Sequence, residues 1–297
     1  MEFLPHDFYK RSLVLIGERN QAKICRCLPR LTKLADIRIT GSFQICYDRN
    51  ALDLPPVYQL EFKVEIEGNT IKTRSFAEAC SYSNNFVSFL FCAVADWETE
   101  DDWKEFADWN VLQKAVAISR RFPRVSVTGG ENCAPEFYSK LTEMKILCTR
   151  GIDVWPDVES IDAQKGFMFS QLRLGAVCRL QLPFVLLASQ EDFEFIFTAF
   201  FVSPTLISLE LCDGDAHLFL NRLREVVALW AKCDVLKQSN KVVYLLTNVM
   251  LDDLTEGLER RATSLEATET QVFLKECPSR IVKIANFKAA SFHFVAL

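Results

Sequence analysis

The chain has 297 residues, of which 49% are hydrophobic and 25% are charged, the balance of a folded protein. This composition excludes disorder as the dominant state, and the length predicts one large domain or two unequal ones. The formal net charge of −5 argues against a general nucleic-acid binder, which needs a concentrated basic face.

The sequence also contains signals that indicate the cellular compartment. The N-terminus lacks a basic segment followed by an apolar one, and no apolar run reaches the ~18 residues of a membrane span. The eleven cysteines include no C-x-x-C pair. Most of them lie in apolar runs such as Leu209–Cys212, where a free thiol behaves as a small hydrophobic residue. We therefore expect a cytoplasmic or nuclear protein in a reducing environment, without disulfides and without a membrane partner.

Residues 1–34 show apolar residues at helical spacing, which predicts two short helices. Gly17 separates the helices, and Pro29 interrupts or kinks the second one. Two short helices cannot bury a shared apolar seam by themselves. This segment therefore needs the body of the protein or a partner.

Residues 35–98 change to a period of two, which is typical of strands. Ile37–Tyr47 and Tyr58–Ile66 alternate between apolar and polar residues. Gly68-Asn69 predicts a tight turn into Thr70–Thr73, so that a β-hairpin forms. The apolar run Phe86–Val94 is interpreted as either a strand or a buried helix.

Residues 99–297 alternate between helical and strand patterns. The acidic residues 100–102 predict the start of a helix that runs to Phe122. Ser189 and Asp192 have the spacing of a capping box. A last helix is predicted through Leu254 and Leu265, and three alternating runs, residues 270–276, 279–287 and 291–295, predict an antiparallel cap on the open sheet edge. The strands between the helices are predicted to start at five positions: Val125, Ile146, Cys178, Ile207 and Val242.

The spacing of these strands lies near the period of about 20–29 residues found in leucine-rich repeats. Two strands carry an L-x-L core, at Leu180–Leu182 and Leu209–Leu211, although a regular Asn or Cys ladder is absent. We expect an irregular leucine-rich-like array in which six residues lie on adjacent parallel strands: Leu180, Leu182, Leu209, Leu211, Val243 and Leu245. A closed, doubly wound α/β sheet is the alternative.

The sequence contains no recognisable catalytic or metal-binding motif. The three histidines are isolated from one another, and no nucleotide-binding or nucleophile motif occurs. Gly129-Gly130 is interpreted as a turn, because Glu131 would repel a phosphate. The Phe-rich run Phe193–Phe201 is interpreted as core, with Phe195 and Phe201 off the main helical stripe. We expect no enzyme, no cofactor and no metal.

The N-terminal segment carries one recognisable pattern. Leu4-Pro5-x-x-Phe8 precedes Leu15-Ile16, and a second apolar helix follows through Ile24, Cys27 and Leu28. This order resembles a minimal F-box. Together with the β-rich stretch and the helix–strand array, it is similar to the nematode family of F-box and F-box-associated proteins.

The resemblance implies a non-catalytic substrate-receptor subunit of a cullin-type (SCF) ubiquitin ligase. The N-terminal helices would bind a Skp-type adaptor through six residues: Leu4, Pro5, Phe8, Leu15, Ile16 and Leu28. The α/β array would bind a protein target. The alternative is a solenoid protein-binding scaffold without a ligase link, in which residues 1–34 pack on the array as its N-terminal cap.

The expected fold class is therefore α/β, with three domains. Residues 1–34 would form the F-box-like helical segment, residues 35–98 a β-rich connecting region, and residues 99–297 the leucine-rich-like interaction domain.

Overall fold

The computed structural model describes most of the chain from residue 37 onward. The described residues are 37–47, 56–66, 68–95, 103–129, 135–154, 161–212, 222–233, 241–245, 260–261, 269–273, 280–286 and 290–296. They form a mixed α/β fold with parallel and antiparallel strand pairs. The chain divides into two compact units, Met1–Thr128 with Glu143–Thr149 and Gly129–Thr142 with Arg150–Leu297. The three-domain division expected from the sequence remains a prediction.

The first unit is built around a long central strand, β1. This strand pairs antiparallel with β2 and parallel with β4. The strands of this unit are β1 (Ile37–Tyr47), β2 (Val57–Ile66), β3 (Asn69–Thr73), β4 (Phe86–Ala95), β5 (Lys104–Glu105) and β6 (Val125–Gly129). The hairpin predicted at Gly68-Asn69 is confirmed by the antiparallel pairing of β2 with β3, and Gly68 has a φ of 85°. Phe86–Val94, whose apolar run is compatible with a strand or a buried helix, lies in a strand.

Two helices accompany the strands of the first unit. Helix α1 (Phe76–Tyr82) follows Ser75, whose side chain accepts a hydrogen bond from the Glu78 amide. Helix α2 (Asn110–Ser119) buries one face through Leu112 and Ala115. The helix predicted from residues 100–102 therefore begins later than expected.

An aromatic cluster accounts for this late start. The ring of Phe106 is buried and packs edge-on against Tyr58 and Trp109, at centroid distances of 6.0 and 4.9 Å. The Phe106 amide donates to the Pro56 carbonyl at 2.7 Å, next to the β2–β5 pairing. Tertiary burial of one ring thus outweighs the local acidic start signal.

The second unit contains four parallel strands in sequential order. They are β7 (Gly151–Val154), β8 (Arg179–Pro183), β9 (Ser208–Cys212) and β10 (Lys241–Leu245). Leu180 lies opposite Leu209, which lies opposite Val243, and Leu182, Leu211 and Leu245 are aligned in the same way. The prediction that these six residues lie on adjacent parallel strands is confirmed.

One predicted strand start is wrong. Residues 146–148 are not in a strand, and β7 begins at Gly151 instead. The hydroxyl of Thr149 accepts from the Val125 amide at 2.9 Å and donates to the Pro123 carbonyl at 2.7 Å. These bonds hold the segment beside the start of β6 and delay the next strand.

The helices of the second unit lie next to one another in chain order. They are α3 (Pro135–Glu143), α4 (Ile161–Leu174), α5 (Gln190–Val202) and α6 (Leu223–Lys232). Helix α4 contacts α5 through the rings of Phe169 and Phe195, whose centroids are 4.5 Å apart. Arg222, at the start of α6, lies 3.4 Å from the ring centroid of Phe193 in α5. The capping box is confirmed in its first half, because the Ser189 side chain accepts from the Asp192 amide.

The C-terminal strands extend the parallel set by antiparallel pairing, as predicted. Strand β14 (Ala290–Ala296) pairs with β10, and β13 (Arg280–Asn286), β12 (Glu269–Phe273) and β11 (Arg260–Arg261) follow in order. Arg260–Arg261 is a strand where a helix was predicted, and the rest of that helix lies outside the described residues. These strands occupy the edge of β10 that would otherwise be open.

We predict that Gly41→Val destabilises the protein. A Cβ atom at this buried position of β1 would lie 2.5 Å from the Phe89 ring and 3.2 Å from the Phe62 ring. Overpacking of this kind costs about 1–3 kcal/mol, and urea unfolding measures it as a lower midpoint.

The control substitution for this prediction is Gly166→Ala. Gly166 lies within α4, and a Cβ there meets nothing within 4 Å. This change should stabilise the helix by about 0.5–1 kcal/mol. Equal midpoints for the two variants would contradict the close approach at Gly41.

Candidate functional site

The parallel strands of the second unit have one apolar and one polar face. Side chains alternate along each strand, and parallel neighbours in register point the same way. The apolar positions are buried at 0–1% exposure and comprise Ile152, Val154, Leu180, Leu182, Leu209, Leu211, Val243 and Leu245. The opposite positions are Gly151, Asp153, Arg179, Gln181, Ser208, Glu210, Val242 and Tyr244, which we call the polar strand face.

The polar strand face is aligned residue by residue across the strands. Asp153 lies opposite Gln181, which lies opposite Glu210, which lies opposite Tyr244. Most of its side chains are partly exposed, whereas Gln181 is buried. The face therefore presents hydrogen-bonding groups in two neighbouring rows, as an extended recognition surface does.

An ion pair crosses the middle of this face. The Arg179 guanidinium donates to a Glu210 carboxylate oxygen at 2.7 Å and to the Gln181 amide oxygen at 3.1 Å. The Ser208 hydroxyl donates to the other Glu210 oxygen at 3.3 Å. Because the Arg179 side chain is 54% exposed, this pair contributes about 1 kcal/mol or less to stability. The pair orients polar groups on the surface more than it stabilises the fold.

Asp153 is electrostatically the most perturbed group on the polar strand face. Burial raises its pKa to about 6, although Arg179 acts in the opposite direction and Glu210 adds to the rise. Its Oδ1 atom is buried and makes no hydrogen bond within the described part of the chain. The Asp153 carboxyl is thus shielded from solvent at Oδ1, and this shielding disfavours its charged form.

Lys241 is a second perturbed group, and its position indicates a structural role. It is buried at the start of β10, where its ammonium donates to the Ser203 and Leu206 carbonyls. Ser203 is the C-cap of α5, so the cation lies at the negative end of that helix. The nitrogen also lies 5.5 Å from the ring centroid of Phe200. Burial outweighs these contacts and lowers the pKa of Lys241 to about 8.

Within the described residues, the cysteines are thiols rather than disulfides. Cys46, Cys148 and Cys212 are buried, and burial raises the pKa of the Cys148 thiol. Within the described part of the chain, no group of three or more His, Cys, Asp or Glu side chains could hold a metal ion. No described helix is long and apolar enough to cross a membrane.

The six residues predicted to bind an adaptor, Leu4, Pro5, Phe8, Leu15, Ile16 and Leu28, lie outside the described residues. Gly129, interpreted from the sequence as part of a turn, is instead the last residue of β6. A Cβ atom there would collide with the Tyr138 hydroxyl, so close packing of that ring requires glycine.

No sequence motif marks Asp153, Arg179 and Glu210 as a group. The L-x-L cores mark the buried positions, and the residues between them necessarily face the other way. That signal was present in the sequence. The register that aligns residues about 30 positions apart was not, because it depends on strand pairing.

We predict that Asp153→Asn changes the pH dependence of stability between pH 4 and 6. The ordinary pKa of this carboxyl is 3.8, and in the folded protein it is about 6. The folded state therefore binds more protons than the unfolded state in this interval, so this group's contribution to stability falls as pH rises. Urea unfolding at pH 4, 5, 6 and 7 should show that the wild type loses stability relative to the variant. A difference in stability between wild type and variant that stays constant from pH 4 to 7 would contradict the prediction.

We predict that the contribution of Lys241 to stability changes in the opposite direction, rising with pH in the alkaline range. Its pKa is about 8 in the folded protein and 10.5 ordinarily, so the unfolded state binds more protons in this interval. The contribution of Lys241 to stability therefore rises from pH 8 to 10.5. Lys241→Met should remove this rise, measured as the difference in urea midpoint between wild type and variant at each pH. If the urea midpoints of wild type and variant changed with pH in the same way, Lys241 would have an ordinary pKa in the folded protein.

Comparison with known proteins adds no assignment to this geometry. No family model, no curated protein and no solved structure matches the chain. A function therefore has to be argued from the polar strand face and from the F-box-like pattern of residues 1–34.

Proposed function

We propose that the chain is a non-catalytic protein-interaction protein whose second unit is a leucine-rich-repeat-like array. The sequential order of β7 to β10 supports this reading, because each helix–strand unit then lies beside the next one in the chain. The side-by-side contacts of α4, α5 and α6 support it as well. A doubly wound sheet would reverse its strand order at a switch point, which these four strands do not do.

The polar strand face is the observation that carries the proposal. Arg179, Glu210 and Ser208 are already connected by hydrogen bonds, so they offer a pre-organised set of donors and acceptors. Asp153 adds a partly exposed acidic side chain to this set. A protein target would form hydrogen bonds with the exposed groups of this set and exclude water from the ion pair.

We further propose that this target is presented to a ubiquitin ligase. The support is the resemblance of residues 1–34 to a minimal F-box, which implies that a Skp-type adaptor would bind through Leu4, Pro5, Phe8, Leu15, Ile16 and Leu28. The chain would then be the substrate receptor of a cullin-type complex, and other subunits would transfer ubiquitin. It would act in the cytoplasm or nucleus, where its cysteine thiols remain reduced.

Two variants separate adaptor binding from target binding. Leu4→Asp with Phe8→Asp should abolish co-purification of a Skp-type adaptor, because charge in a desolvated apolar contact costs several kcal/mol and about 1.4 kcal/mol is already tenfold in affinity. Arg179→Glu should leave the adaptor bound and release the target, because it places a third acidic group beside Asp153 and Glu210. Quantitative mass spectrometry of complexes purified from native extract measures both effects.

Each variant has a matched control on the same chain. Leu174→Asp adds charge at an exposed leucine, and Arg120→Glu reverses charge at an exposed arginine in α2's C-cap. Thermal melts of all variants show whether the fold is kept, and Arg179→Ala replaces Arg179→Glu if it is not. Failure of wild type to bind any adaptor, with a target that still depends on Arg179, would leave a binding scaffold without a ligase link. If targets bind both Arg179 variants as well as they bind wild type, the polar strand face is not the target-binding surface.

A further inference from the structure

Helix α5 presents a continuous stripe of residues on the side opposite its buried face. These residues line a shallow depression of about 420 Å³. They follow the spacing i, i+3, i+4, i+7, i+8, i+11, which keeps them on one helical face. We call this surface the α5 outer stripe, and it consists of Glu191, Glu194, Phe195, Thr198, Ala199 and Val202.

One end of the α5 outer stripe is apolar. Val202 is 63% exposed, which makes it the most exposed large hydrophobic side chain among the described residues. Phe195 is partly exposed, and its ring is supported by Phe169 at 4.5 Å and by the Arg173 guanidinium at 5.2 Å from its centroid. Phe195 and Val202 lie two turns apart on the same helical face with Ala199 between them, so they form an apolar strip whose ring is already held in place before binding.

The other end of the stripe is acidic. Glu191 and Glu194 are exposed, and Glu194 accepts a hydrogen bond from the neutral Gln190 amide at 2.6 Å. Among the cations described around the stripe, Lys165 pairs with Asp192 at 2.6 Å and Arg222 pairs with Glu225 at 3.1 Å, while the Arg173 guanidinium lies over the Phe195 ring. None of these contacts pairs a cation with Glu191 or Glu194. The two glutamates therefore keep a negative potential at this end of the stripe.

We propose that the α5 outer stripe binds an amphipathic helix of a partner protein, with basic residues over Glu191 and Glu194 and apolar residues over Phe195 and Val202. From residue 191 to residue 202 the stripe spans about 16 Å, at ~1.5 Å per residue, which three turns of a partner helix cover. Docking of an apolar helix face with i, i+3, i+4, i+7 anchors is a common mode of helix recognition.

Charge complementarity distinguishes this partner from a second copy of the chain. In an antiparallel two-fold dimer, the glutamates of each copy would face the exposed Val202 of the other. In a parallel arrangement, Glu191 and Glu194 would face their own counterparts and repel them. A basic amphipathic helix avoids both penalties. This surface lies on the helices, so the inference does not depend on the polar strand face or on residues 1–34.

The test is a selection of displayed helical peptides on the full-length protein. The library varies the residues on one face of a stable three- to four-turn helix, and peptides that also bind the Val202→Asp variant are removed. Enriched sequences should combine apolar residues at one end with Lys or Arg at the other. A synthetic peptide of the enriched sequence should bind Glu191→Lys/Glu194→Lys at least about tenfold more weakly than wild type, and more weakly as salt increases.

Glu136→Lys is the matched control, because it makes the same substitution in the first turn of α3. It should leave the affinity for the peptide unchanged. The proposal is overturned if no sequence is enriched, if the enriched sequences lack basic residues, or if Glu136→Lys weakens binding equally. Sedimentation that shows a dimer of the wild type, lost in Val202→Asp, would assign the stripe to a second copy and would also overturn it.

Discussion

The alternation of side chains along four parallel strands is the constraint on which the second unit depends. Leu180, Leu209 and Val243 occupy aligned positions and are buried, so every intervening residue must face the opposite side. A slip of one residue in any strand would bring Arg179 or Glu210 into the core. The same register that builds the core therefore aligns the polar strand face, and the two features cannot be changed independently.

Aromatic packing joins the C-terminal strand β14 to the helices of the second unit. The ring of Phe294 in β14 lies 5.2 Å from Trp230 in α6 and 5.1 Å from Phe201 in α5. All three rings are buried, so the antiparallel strand is held by the helices as well as by its backbone pairing with β10. Phe201, which fell outside the main helical stripe in the sequence, is buried for this reason. Phe195 meets a neighbouring helix instead and stays partly exposed.

The two proposed binding surfaces differ in their chemistry. The polar strand face carries a connected ion pair and a half-buried carboxyl with a raised pKa, which suits recognition by hydrogen bonds and charge. The α5 outer stripe is mainly apolar with two glutamates at one end, which suits an amphipathic helix. A receptor that holds a target on one surface and another protein on the second needs such chemically distinct sites, because distinct chemistry prevents one partner from competing for both.

The sequence by itself determined the elements with strong local signals. Gly68 specifies the hairpin turn, and the L-x-L spacing of Leu180 and Leu209 identifies parallel strands with one buried face. Only the tertiary structure decided where an element begins when its local sequence signal is weaker than the competing tertiary contacts. Burial of Phe106 delays helix α2, and the hydrogen bonds of the Thr149 hydroxyl delay β7. The pairing of Arg179 with Glu210 likewise depends on strand register, because local sequence encodes periodicity, whereas contacts between residues about 30 positions apart arise only from packing.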